Sequence, residues 1–155
     1  MAVVRSAQQY LKKQGIDQWQ DNYPTREIIE ADINTAEAYV LDDDGHVAGY
    51  FAVYTADEPV YEYLEGGCWL LQSKNFAAMH RVCISHEYRG KGLAHMIYTY
   101  AAERAHELGR DSIRVDTHHD NKIMRHMAES HGFVACGTVY YPGNLKRIAY
   151  EKLLK

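Results

Sequence analysis

Val82-Cys83-Ile84-Ser85-His86-Glu87-Tyr88-Arg89-Gly90-Lys91-Gly92-Leu93-Ala94 is the stretch from which the rest of the chain can be read. Its start, from His80 to Ser85, is an apolar, β-branched run and predicts a buried strand. His86 to Tyr88 is a short polar connection. From Gly92 onward Leu93, Met96, Ile97, Tyr100, Ala101, Arg104, Ala105 and Leu108 recur at helical spacing, and Gly109 supplies a left-handed stop. A strand therefore runs through a glycine turn into a helix N-terminus. The first N–H groups of a helix have no partner inside it, and the dipole makes that end positive. Glycines at 90 and 92 let an anion approach the backbone closely, with Arg89 and Lys91 beside it. A Walker loop would need Gly-Lys-Ser/Thr, but Leu93 follows Gly92. The dinucleotide fingerprint would need a third glycine where His95 stands.

The remaining pattern, Arg89-x-x-Gly92-x-Ala94 after an apolar strand, resembles the acyl-CoA-binding motif of the GNAT superfamily of N-acetyltransferases. The plain alternative is a strand–turn–helix with a glycine-rich connection and no ligand.

Working outward, Val3, Val4, Ala7, Tyr10 and Leu11 predict a helix over residues 2–14, with Lys12, Lys13 and Gly15 at its end. Residues 15–24 form a loop carrying Trp19 and Tyr23. A second helix starts at Pro24 or Thr25 and runs to Ile33. Strands are expected over 37–41 and 47–54, joined by the hairpin signal Asp42-Asp43-Asp44-Gly45. Asp57-Glu58-Pro59 opens a short helix to Leu64, stopped by Gly66-Gly67. The central strand covers 76–85. After the long helix come a strand over 112–117, a helix capped by Asp120 or Asn121 and running to about Ser130, and strands over 133–141 and 147–153 around Pro142-Gly143-Asn144. Strands alternating with helices and closing in a hairpin mean an α/β domain over residues 1–155: a mixed central sheet flanked by helices.

Composition excludes several functions. The chain has 155 residues and a formal charge of −4, which argues against nonspecific nucleic-acid binding and favours a cationic substrate. Three cysteines without paired spacing point to free thiols in a reducing compartment. Neither a signal-like h-region nor a long apolar span is present, so a cytoplasmic, non-membrane protein is expected.

The family resemblance extends over nearly the whole chain: the apolar strand, the Arg89–Ala94 cradle, the helix, the strand ending Asp116-Thr117-His118, then Asn121 and Gly132-Phe133, all in order. Residues 15–20 and 147–152 look like a bacterial subgroup of the family. The resemblance implies acetyl-CoA as cosubstrate. The backbone of Val82, Cys83 and Ile84 would pair with the pantetheine arm, Arg89, Gly90, Lys91, Gly92, Leu93 and Ala94 would hold the pyrophosphate, and Asn121 would contact the arm. Two departures stand out. Family members open with a strand before the first helix, whereas here Met1 leads straight into helical spacing. An edge strand near 37–41 then lacks its usual neighbour, so either a homodimer or cover of that edge by the chain's own helix is expected. Many members also carry a tyrosine seven residues after the asparagine as general acid; here that position is Ala128.

Transfer to an amine needs a base, because an ammonium has no lone pair. Asp116, at the end of the strand beside the cofactor strand, is the candidate; a helix cap or a surface pairing is its other reading. His80 is expected to pack rather than react. His118 and His119, adjacent on an extended chain, should point apart, and no cysteine has ligand spacing, so no metal site is expected. Cys83 and Cys136 read as core. The expected function is direct acetyl transfer to a small-molecule or peptide amine. A longer acyl group, or an acyl-CoA-binding module without activity, are the alternatives.

Overall fold

The computed structural model describes residues 1–155. In chain order it contains α1 (Ala2–Lys13), α2 (Arg26–Asn34), β1 (Ala38–Asp43), β2 (His46–Tyr54), β3 (Phe76–Ile84), α3 (Leu93–Glu107), β4 (Ser112–Thr117), α4 (Lys122–Ser130), β5 (Val134–Tyr141) and β6 (Leu145–Leu153). Six strands form one mixed sheet in the order β1-β2-β3-β4-β6-β5, in which only β3 and β4 run parallel. Thr25 caps α2, its hydroxyl accepting from the N–H of Ile28. Asp44 and Gly45 both have positive φ, as a two-residue hairpin between β1 and β2 requires. The first element is α1, which begins at Ala2. No helix is long and apolar enough to cross a membrane.

Alternation along the strands divides the core between two faces. One face carries Ala77, Met79, Ile113, Val115 and Tyr150 against Ile97, Tyr98, Ala101 and Ala105 of α3 and Met127 and Ala128 of α4. The other is covered in two halves. Val3, Val4 and Ala7 of α1, with Ile29 of α2, pack on Tyr50 and Cys83. Tyr61 and Trp69, from the segment linking β2 to β3, pack on Phe76, Ala78, Val139 and Ala149. A buried ion pair anchors that segment: Arg114 Nε donates to Glu151 at 2.9 Å, and the same carboxylate accepts from Ser112 Oγ at 2.6 Å and from the N–H groups of Leu70 and Leu71. Every acceptor position is used, so the pair escapes the penalty of an uncompensated buried charge.

The helix expected over 57–64 is only a single 3₁₀ turn, Pro59–Tyr61. The chain leaves it because Glu65 pairs with Thr138 of β5, each donating its N–H to the other's carbonyl at 2.9 Å. The last strand begins at Leu145, two residues before the expected Arg147.

A break in β3 positions the site. Tyr50 pairs with Cys83 and Ala52 with His80, so Arg81 and Val82 together face Phe51. This is a β-bulge with Arg81 at φ 55°. Arg81 is held there by Asp32 of α2: Nε donates to Oδ2 at 2.8 Å and Nη2 to Oδ1 at 2.7 Å, with both side chains buried. The hydroxyls of Tyr50 and Tyr54 donate to the same carboxylate. The bidentate geometry and the extra donors compensate the buried charges.

Candidate active site

β3 and β4 pair only at Phe76–Ser112, Ala77–Ile113 and Ala78–Arg114. Beyond Ala78 and Arg114 they diverge, and a cavity of about 800 Å³ opens between them, with residues 79–84 on one side and Val115, Asp116 and Thr117 on the other. Backbone groups of β3 that would have bonded to β4 therefore face open space. That is where the sequence expected Val82, Cys83 and Ile84 to meet a ligand's extended arm. The Cys83 thiol is buried, and desolvation pushes its pKa up to about 12, so it is no nucleophile.

The same cavity reaches Arg89, Gly90, Gly92, Leu93 and Ala94. Gly90 and Gly92 both sit at φ 76°, and a Cβ on either would meet nothing within 4 Å. The N–H groups of Gly90, Lys91, Gly92, Leu93 and Ala94 make no hydrogen bond within the protein, while His95 N–H returns to the carbonyl of Gly92 at 3.1 Å. Five free donors at the positive end of a fifteen-residue helix fit a pyrophosphate. The two cationic side chains lie beside the cradle, each against an aromatic ring. Arg89 turns toward α1, donating to the Ser6 carbonyl at 3.0 Å and stacking over Tyr10. Lys91 leans over the Tyr88 ring and does not line the cavity.

Asn121 lines the cavity too, but both ends of its amide are engaged. Its Oδ1 caps α4 by accepting from Met124 N–H at 3.3 Å, and its Nδ2 donates to Gln18 Oε1 at 3.3 Å. It ties the 15–24 loop to the mouth of the site. Ala128 is buried on α4 and faces the core.

Asp116 projects from the end of β4 into the cavity. Tyr61 and Tyr141 donate their hydroxyls to its Oδ2 at 2.8 and 2.7 Å, and Oδ1 has no partner within the protein. Desolvation raises its pKa above 3.8; His80, the two phenols and Arg147 oppose that shift without cancelling it. The phenols titrate well above 10.0 because they are buried against this carboxylate.

Sequence reasoning placed His80 in the packing. Its ring does pack against those of Tyr54 and Tyr61, and it also lines the cavity, with Nε2 2.7 Å from Glu58 Oε2. Nothing in the sequence linked Glu58, Tyr61 and Tyr141 to Asp116, because the contacts span up to 55 residues. Trp19 and Tyr23 line the cavity, whereas Tyr61 and Trp69 are buried. His118 and His119 do not point apart. They lie in the turn after β4 with stacked rings 4.3 Å between centroids, and both approach Asp120. His118 Nδ1 accepts from the N–H of Asp120 at 3.1 Å, so that lone pair already serves the turn.

The comparisons with known proteins agree with this geometry. The family model described as "Acetyltransferase (GNAT) family" matches residues 4–133. The chain is similar to a GNAT-family acetyltransferase of Streptococcus agalactiae 2603, with 35% identity and a TM-score of 0.87 over 99% of this chain and 87% of that one. A GNAT-family acetyltransferase of Listeria monocytogenes 4b F2365 shares the fold at 22% identity and TM-score 0.73, over 99% of this chain and 86% of that one. A Bacillus subtilis acetyltransferase solved in complex with CoA shares the fold at 13% identity and TM-score 0.66, over 86% of each chain. No curated protein matches the sequence. An open β3–β4 edge, a glycine cradle at a helix N-terminus and a family match over most of the chain converge on one conclusion: this chain belongs to the GNAT acetyltransferase family and is an N-acetyltransferase that uses acetyl-CoA.

Proposed function

We propose that the protein transfers the acetyl group directly to a primary amine of a small molecule or an amino terminus, with Asp116 as the general base. The observation that carries this reading is the free Oδ1 of a desolvated carboxylate, set in the cavity between the diverging strands. An incoming ammonium finds one oxygen unclaimed, while the two phenols fix the other. Raising the pKa of a carboxylate makes it a better base at neutral pH. Acetyl-CoA supplies the electrophilic carbonyl. The chain's own residues do the rest: the N–H groups of 90–94 hold the pyrophosphate, the bulged backbone of Val82 to Ile84 receives the arm, and Asp116 takes the proton from the amine. Positioning two reactants at contact distance accounts for much of the rate, and the cavity does that work.

The test is thiol release from acetyl-CoA with a panel of amines and peptides. Asp116→Asn is expected to lower kcat/KM by ~10²-fold and to leave acetyl-CoA affinity nearly intact. Wild-type kcat/KM in that variant across pH would make Asp116 structural. A homodimer joined at the β1 edge and a cytoplasmic setting belong to the same proposal. In support, β1 pairs on one side only, and Cys68, Cys83 and Cys136 are all free thiols.

A further inference from the structure

Proton balance exposes a gap that Asp116 does not fill. In acetyl transfer a C–N bond forms, the C–S bond breaks, and the electron pair of that bond leaves on sulfur. Asp116 takes a proton from nitrogen; the departing sulfur takes one from water or from another group in the site. Ala128 has no proton to give. Tyr61 and Tyr141 already donate to Asp116 and hold their protons well above the usual phenol range. The Thr117 hydroxyl is buried, and strand alternation puts it on the opposite face of β4 from Asp116. Cys83 is buried with its thiol pushed up to about 12.

We propose that His80, held by Glu58, is the general acid that protonates the departing sulfur. His80 and Asp116 continue the strand face that Ala78 and Arg114 share, and Tyr61 bridges them, its ring stacked on His80 and its hydroxyl donating to Asp116. Both side chains line the cavity. The sulfur is one bond from the carbonyl carbon that the amine attacks, so a group beside the base is placed to reach it. Glu58 Oε2, 2.7 Å from Nε2, fixes the ring and leaves Nδ1 without a partner in the protein. The groups facing the ring are Glu58 and Tyr61 from the segment after β2, Tyr54 from β2 backed by Asp32 and Arg81, Asp116 from β4, and Tyr141 from β5. The ring gives its Nδ1 proton to sulfur, and the proton gained by Asp116 restores it through water.

This inference rests on the acetyl-transfer reading, and three measurements separate the two. Acetyl-CoA affinity by calorimetry is expected to be unchanged in His80→Gln, while kcat falls by ~10²-fold. The ionisation of the thiol of bound CoA, followed by thiolate absorbance against a desulfo-CoA complex, is expected at higher pH in His80→Gln than in wild type, because an imidazolium beside sulfur stabilises the thiolate. The basic limb of the pH–rate profile is expected to move to lower pH in Glu58→Gln, since losing a carboxylate makes the ring release its proton more readily. Unchanged thiol titration together with wild-type kcat in His80→Gln would overturn the assignment and return the ring to packing. Should His80→Gln fail to fold, an unmoved basic limb in Glu58→Gln overturns it alone. Loss of activity in His80→Gln with full activity in Asp116→Asn would leave the acid standing and remove the base.

Discussion

At the scale of single residues, Asp116 is a charge placed against its own stability. Burial holds its folded pKa above 3.8, so the folded chain binds that proton more tightly than the unfolded chain does. The stabilisation from this group is therefore complete below the unfolded value and is lost as pH rises through the folded one. Near neutral pH the ionised carboxylate is a net cost. Asp116→Asn keeps an oxygen for the two phenols and removes the charge, so it should melt at a higher temperature than wild type near neutral pH, and the gap should close as pH falls toward 3.8. Equal melting temperatures throughout would mean that Asp116 is well solvated. The hydroxyl of Tyr141 acts in the opposite sense to burial, since its hydrogen bond lowers the pKa of Asp116. Tyr141→Phe should therefore push that pKa up further and move the acidic limb of kcat/KM to higher pH. A limb that stays in place would show that another group sets it.

At the scale of elements, the cradle depends on where α3 starts. Gly92 occupies a left-handed conformation as the N-cap, and a side chain there would enter the open space in front of the free N–H groups. Gly92→Asp should cost at least tenfold in acetyl-CoA affinity, about 1.4 kcal/mol or more, measured by calorimetry on the folded variant. Unchanged affinity would remove the cradle from the binding site. This element could be read before the fold was seen because its signals are local: a β-branched run, two glycines and a helical apolar period all lie within thirty residues. The α2 cap and the Asp44-Gly45 turn were legible for the same reason. The short helix over 57–64 was misread because a non-local pairing, Glu65 with Thr138, outweighs the local helix start at Pro59. Arg89 and Lys91, given phosphate roles by their charge and by the family motif, each lie against an aromatic ring, a contact that no local signal announces. His80 lay in a strand that was read correctly, and Glu58 in the segment misread as a helix. What could not be read was the bulge at Arg81 and the divergence of β3 from β4, which put His80 on the chamber wall, where Glu58 holds its ring.

At the scale of the whole molecule, the two ends of the sheet are finished differently. Beyond β5, the segment from Glu65 to Gly67 runs along the strand: Glu65 bridges Thr138, and a Cβ on Gly67 would stand 1.9 Å from the Cys136 carbonyl oxygen, so only glycine fits. That end is covered by the chain itself. β1, at the other end, pairs with β2 alone, and Val40 on it is 52% exposed. An unpaired edge with an exposed apolar residue invites a second strand. Two copies meeting about a two-fold axis would pair β1 with β1 in antiparallel register and extend one sheet through both. Asp42 and Asp43 at one end of the strand limit the registers that avoid like-charge contact. The cavity lies between β3 and β4, two strands in from this edge, so association should leave the chemistry of each chain unchanged. Sedimentation equilibrium should therefore show a dimer with slow amide exchange along residues 38–43. Val40→Lys should shift it to monomer while kcat per chain stays at the wild-type value. A wild-type monomer with fast exchange along β1 would mean that the edge is protected by its aspartates alone. A monomeric Val40→Lys that loses activity would mean that the partner reaches the cavity after all.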